Sequence, residues 1–169
     1  MYILGDIGNT ETKIWLVSKK NHIIKKINFS SKGVTNYKLS KIFKKYNFKF
    51  KNIEKILFCS VVPPTFNLIK KFLSKKTNNK CYEVKSLSLK SLIKIKVDYK
   101  QVGSDRITNA ISSMNNKNNF IILDFGTATT FDVLVQNTYY GGIIAPGVKL
   151  SLNSLSDKAT LIPRINLKK

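Results

Sequence analysis

Hydrophobic and polar positions divide the chain into strand-length and helix-length stretches. Residues 2–4 and 13–17 are apolar stretches on either side of a polar turn and predict two strands, with residues 24–29 as a third. Leu39, Ile42, Phe43 and Tyr46 recur at helical spacing over residues 37–46. Residues 56–62 form an apolar run, read as a buried strand stopped by Pro63-Pro64. Phe66, Ile69, Phe72 and Leu73 predict a second helix, and residues 81–84 and 93–97 are short strand candidates. Gly103-Ser104-Asp105 opens a helix reaching about Met114, and the polar run from Asn115 to Asn119 reads as a linker. Strands at 120–123, 131–135 and 139–145 follow, the last ended by Pro146-Gly147. Strands alternating with helices imply an α/β chain with mixed sheets.

The opening is repeated. Tyr2 to Thr12 aligns with Phe120 to Thr130 at a constant offset of 118: Asp6 meets Asp124, Gly8 meets Gly126, Thr12 meets Thr130, and Leu16-Val17 meets Leu134-Val135. Each copy is an apolar strand ending in Asp-x-Gly and a polar turn. Such a turn suits a phosphate. Glycine lets the backbone approach closely, free N–H groups with Asn or Thr side chains donate to phosphate oxygens, and the Asp can hold a cation directly or through water. Two facing turns of this kind would hold a nucleotide between two lobes. No Gly-x-x-x-x-Gly-Lys loop occurs, so this is not a Walker site.

Composition narrows the reading. The 169 residues are 43% hydrophobic and 23% charged, which is globular. No run of 18 apolar residues occurs, so no membrane span is expected. The start, Met1-Tyr2-Ile3-Leu4-Gly5, lacks a signal-peptide pattern. The two cysteines, Cys59 and Cys81, match no metal or redox spacing and predict free thiols in a cytoplasmic protein. The net charge of +21 raises a nucleic-acid reading. Against it, only Arg106 and Arg164 among 30 basic residues are arginine, and no aromatic–basic RNA motif is present. The lysines accompany much Asn and Ile, as an AT-rich genome favours; a basic surface would still draw in anionic substrates.

Five motifs occur in order: Asp6-Ile7-Gly8-Asn9-Thr10, Ser60-Val61-Val62-Pro63, Gly103-Ser104-Asp105-Arg106, Asp124-Phe125-Gly126-Thr127-Ala128-Thr129-Thr130, and Gly141-Gly142-Ile143-Ile144-Ala145-Pro146-Gly147. Together they resemble the type III pantothenate kinases, over essentially the whole chain. The resemblance implies an α/β actin-like ATPase (ribonuclease H-like) fold with duplicated lobes and mixed β-sheets. The lobes would be residues 1–117 and a partial second lobe, 118–169. The implied activity is transfer of the ATP γ-phosphate to pantothenate, giving 4'-phosphopantothenate, the first step of coenzyme A synthesis. ATP, Mg²⁺, a monovalent cation (K⁺ or NH₄⁺) and a homodimer are implied with it. A non-catalytic regulatory protein on the same fold is the alternative, since the family has members first described as accessory transcription factors.

By the same resemblance, Asp6, Ile7, Gly8, Asn9, Thr10, Glu11, Thr12 and Lys13 form the first ATP-phosphate loop, and Thr127 is a further ATP contact. Asp124 corresponds to the monovalent-cation ligand, and Asp6 would hold Mg²⁺ through water. Gly103, Ser104, Asp105 and Arg106 correspond to the pantothenate-binding segment, with Asp105 as catalytic base and Tyr99 as a further substrate contact. The family's Thr-Ala-x-Leu-Pro segment meets Ala159-Thr160-Leu161-Ile162-Pro163, which puts Ala159 at a substrate-contacting threonine. Thr160 would substitute only after a one-residue backbone shift. Residue chemistry agrees: Ser104 can cap its helix, the helix start favours a negative Asp105, and Arg106 suits a carboxylate. Asp132 reads as either a support to the site or a structural group, His22 as exposed, and Tyr139-Tyr140 as packing. The second lobe has its opening strands but few following elements. The chain therefore reads as truncated, with an apolar sheet face left exposed.

Overall fold

The computed structural model describes residues 1–159 and 162–165. Its first strand, β1 (Tyr2–Ile7), alternates as expected and turns Ile3, Gly5 and Ile7 inward. It pairs antiparallel with β2 (Glu11–Val17), which in turn pairs with β3 (Ile23–Ser30). Thr12, Ile14 and Leu16 of β2 lie opposite Ile7, Gly5 and Ile3, so the inward rows meet across the pair. β4 (Lys55–Ser60) and β5 (Cys81–Glu83) extend the other edge in parallel, giving the order β3-β2-β1-β4-β5.

Helix α1 (Asn36–Lys45) is capped by Thr35, whose hydroxyl accepts from the Lys38 N–H, and it buries Leu39 and Phe43. Helix α2 (Pro63–Thr77) buries Phe66, Ile69, Phe72 and Leu73 and ends at Asn78 in the left-handed region. The two prolines occupy its first positions. There the missing N–H costs nothing and the fixed φ suits a helix. The pair thus starts α2 instead of merely stopping β4, which ends at Ser60. Phe43 stacks on Phe72 at 5.4 Å and meets Phe48 edge-on at 5.0 Å. One core cluster includes Ile3, Ile7, Ile14, Leu16, Ile56 and Phe58 of the sheet with Leu39, Phe43, Ile69 and Leu73 of the helices.

A second sheet has the order β6-β9-β8-β7. β7 (Asn119–Phe125), β8 (Ala128–Val135) and β9 (Thr138–Pro146) are an antiparallel meander, and the short β6 (Lys94–Ile95) joins β9 in parallel. α3 (Ser104–Ser113) precedes it, and α4 (Val148–Lys158), which the sequence reading did not anticipate, follows it. One face of the meander is apolar and exposed, with Ile121, Leu123, Phe125, Phe131, Val133 and Ile143 in solvent. By packing, the chain forms two units: Met1–Leu89 with Gly103–Thr108, and Lys90–Val102 with Asn109–Lys169. The polar run at 115–118 is a turn inside the second unit, folded on Asn115, whose side-chain oxygen accepts from the Lys117 and Asn118 N–H groups. Among the described residues no helix is long and apolar enough to cross a membrane.

The repeat is offset by 118 only up to the glycine of each turn. Ile7 pairs with Thr12, but Phe125 pairs with Thr129. The Gly8 N–H donates to the Glu11 carbonyl, whereas that of Gly126 reaches the carbonyl of Ala128. The second turn is one residue shorter, so Thr12 corresponds structurally to Thr129 and Leu16 to Val133. Both threonines are buried.

Candidate active site

In the first unit, β1 and β4 run in parallel and end together, with Asp6 beside Cys59 and Ile7 beside Ser60. The Val61 N–H continues the pairing to the Ile7 carbonyl at 3.0 Å. The Cys59 thiol donates to Asp6 Oδ1 at 3.7 Å. Burial, then the charges of Asp6 and Asp105, push that thiol from 9.0 up to about 12, opposed by hydrogen bonding from Thr108 and Ser104. One protonated thiol therefore stands among Asp6 and the first turns of α3. The C-terminal ends of parallel strands are where α/β folds place ligands.

α3 begins at Ser104, which puts Asp105 in its first turn. Ser104 is not the cap: its buried hydroxyl donates to a Glu83 carboxylate oxygen. The Ile107 N–H closes the first turn on the Gly103 carbonyl. Asp105 Oδ1 accepts from the Arg106 N–H at 2.8 Å and folds back over Gly103, where a Cβ would lie 2.3 Å from it. A larger residue at 103 would have to displace the Asp105 carboxylate from this position. In the turn after β1, Asn9 and Thr10 are exposed, and the Thr10 carbonyl accepts from the Ser31 N–H. Thr12 faces inward with its hydroxyl 2.8 Å from that of Ser31, and Ile7 is in the core, so both brace the turn from beneath. Glu11 and Lys13 form a loose surface pair at 3.9 Å.

In the second unit, Asp124 is exposed near the end of β7 and accepts from the Asn109 amide at 3.1 Å. Thr127 lies in the turn after β7, and its carbonyl accepts from the Gly147 N–H. Tyr99 sits in a turn after β6 and belongs to this unit, not to the unit of Gly103–Arg106. Ala159 caps the C-terminus of α4, its N–H donating to the Leu155 carbonyl at 2.8 Å. Thr160 lies outside the described residues. Asp132 and Tyr139 are both buried and share a 2.5 Å hydrogen bond, with the phenol donating.

A sequence profile described as type III pantothenate kinase matches residues 2–169. A type III pantothenate kinase of Pelagibacter ubique is 63% identical over 100% of this chain and 68% of its own length. This chain belongs to the type III pantothenate kinase family. Another member, from Syntrophotalea carbinolica, is 32% identical over 99% of this chain and 68% of its own length. The chain thus spans about two thirds of the length of these curated relatives. Among solved structures, a Campylobacter jejuni protein named for the Baf family of transcriptional activators superposes with a TM-score of 0.53 at 20% identity. It covers 92% of this chain and 59% of its own. A 2-dehydro-3-deoxygalactonokinase-like protein of Sinorhizobium meliloti gives a TM-score of 0.51 at 9% identity over 95% and 58%. At these identities the likeness is one of fold, the α/β actin-like fold shared by sugar kinases and the pantothenate kinases.

This is an ATP-dependent kinase family, so the donors fit their expected cations in kind. Asp6 and Asp124 offer carboxylate oxygen, which hard cations select. Among the described residues no three His, Cys, Asp or Glu side chains cluster as a metal cage. Each carboxylate can therefore supply only part of a coordination shell, with phosphate, water and backbone oxygens left to complete it. Sequence reasoning missed Cys59, Glu83 and Asn109. A signal for Glu83 was available: with only nine acidic residues against 30 basic ones, each carboxylate calls for a role.

Proposed function

We propose that this chain phosphorylates pantothenate with ATP, using Asp105 as the base. The observation that carries the reading is the grouping, within one unit, of Asp6 and the Asp105-bearing helix start around the ends of two parallel strands. Asp105 accepts the proton of the pantothenate hydroxyl as its oxygen attacks the γ-phosphorus in line. Arg106 pairs with the pantothenate carboxylate through its planar fork; by the family resemblance Gly103 and Ser104 belong to the same substrate segment, Tyr99 is a further substrate contact, and Ala159 stands at the position of a substrate-contacting threonine. The N–H groups and side chains of residues 8–10 hold the phosphates, supported by Asp6, Glu11, Thr12 and Lys13, and Thr127 is a further contact. When bound, Mg²⁺ at Asp6 and K⁺ or NH₄⁺ at Asp124 neutralise phosphate charge. The proposal includes lobes at 1–117 and 118–169, a homodimer, a cytoplasmic location and no nucleic-acid partner.

Asp105→Asn keeps the side-chain shape but removes the proton acceptor. Turnover should fall by about 10²–10⁴-fold, read as pantothenate-dependent ADP release in Mg²⁺ and K⁺, while ATP binding by calorimetry stays within about threefold. Normal turnover by that variant would remove Asp105 from its role. The regulatory reading draws on the name of the Campylobacter structure; it gains only if the wild-type protein binds ATP yet transfers no phosphate.

A further inference from the structure

We infer that Glu83 is a positioning residue for the catalytic helix, pinning the α3 start through Ser104 so that Asp105 is presented in a fixed place. Glu83 ends β5, beside Phe58 of β4. Its side chain is held by its own turn: one carboxylate oxygen accepts from the Lys85 N–H at 2.8 Å, and its carbonyl accepts from the Ser86 hydroxyl at 2.6 Å. The other oxygen accepts from the Ser104 hydroxyl, which lies 21 residues on and is almost wholly buried. A hydroxyl bonded to a carboxylate is one of the stronger neutral–charged hydrogen bonds. It ties a rigid strand end to the residue just before Asp105. Ser104 also fixes the next turn, since its carbonyl accepts from the Thr108 hydroxyl at 2.8 Å. Ser104 is therefore an anchor within the substrate segment, not a group free to contact pantothenate. Gly103, just before it, lies under the folded-back Asp105 carboxylate, so Ser104 is the tied point from which that carboxylate is presented.

The inference rests on the kinase reading, and its test separates the two. Wild type, Glu83→Ala, Glu83→Gln, Ser104→Ala and the Glu83→Ala/Ser104→Ala double variant are assayed for kcat and both KM values. Amide exchange is followed over residues 104–108 and over β1 and β4. Misplacing a base by a fraction of an ångström should lower kcat about tenfold or more in Glu83→Ala, with the ATP KM little changed. Glu83→Gln keeps an oxygen for Ser104 and should recover most of that loss. Ser104→Ala should match Glu83→Ala, and the double variant should be no worse, because both remove one interaction. Exchange should quicken at 104–108 while β1 and β4 stay protected. Losses that multiply in the double variant, or unchanged exchange at 104–108 in Glu83→Ala, overturn the inference. A wild type without pantothenate-dependent turnover sinks the kinase reading alone, and exchange then decides the pin.

Discussion

The two sheets begin alike and end differently. Ile3 and Ile7 of β1 are fully buried in the core that α1 and α2 complete, whereas their repeat counterparts Ile121 and Phe125 of β7 are each 67% exposed. Gly5 lies between the first pair and Leu123 between the second. Gly5 is a glycine because the Phe58 ring sits on it: a Cβ would lie 1.9 Å from that ring. At the counterpart stands Leu123, a large side chain that is 47% exposed among the described residues. The strands thus carry the same apolar code, but burial comes from the elements that follow each opening. β1 takes β4 on its outer edge, with α2 after it; β7 is the edge of its sheet among the described residues. Among the described residues, the face of β7, β8 and β9 has the make-up of a core with little of the cover.

The largest test of this contrast is a pair of aromatic truncations. Phe58→Ala removes a fully buried ring and should cost about 3–5 kcal/mol in urea unfolding. Phe125→Ala removes an equally large ring from the bare face and should change stability by less than about 0.5 kcal/mol. Comparable losses would mean that the second face is packed in solution. A smaller effect comes from Gly5→Ala, where the new methyl must displace Phe58; overpacking of this kind costs about 1–3 kcal/mol. Leu123→Ala, at the matching place, should be nearly neutral.

The same contrast explains what could be read in advance. The strands of the first opening and the two core helices follow from apolar spacing, because each buries one side against a neighbour; the second opening carries the same spacing although β7 buries no residue, and the start of α3 follows from Gly103-Ser104-Asp105. α4 left no such trace: it buries no residue, so Leu150 and Leu155 mark no inward stripe. The proline pair was legible as a break but not as a helix start, since that depends on where β4 lets go. The one-residue shortening of the second turn was hidden because an ungapped alignment pairs Thr12 with Thr130 as readily as with Thr129. Only hydrogen-bond register separates them: it sets Thr12 opposite Ile7 and Thr129 opposite Phe125. In the candidate site, motif chemistry picks out Asp6, Gly103 and Asp105. It does not pick out Cys59 and Glu83, because their roles arise from strands brought side by side by parallel pairing, which no local pattern encodes.

The smallest effect sharpens the comparison through a probe confined to one side of it. Both cysteines lie in the first unit, and both are buried free thiols. Burial pushes Cys81 from 9.0 up to about 12, and burial with the Asp6 and Asp105 charges does the same to Cys59. The unfolded chain therefore releases these protons near pH 9 while the folded chain keeps them. Below pH 9 the contribution to stability is fully present; it is lost progressively as pH rises toward about 12. Cys81→Ala should flatten that slope relative to wild type in urea titrations between pH 8.5 and about 10.5. At pH 8, alkylation of either thiol requires the first unit to open, so its rate reads that unit and is silent to the meander. Phe58→Ala should speed alkylation by about 10²-fold or more, the change its stability loss implies when opening is at equilibrium. Phe125→Ala should leave the rate unchanged. Equal acceleration by both would show that the bare face supports the first core, and the contrast between the two sheets would then be one of exposure without a difference in energetic weight.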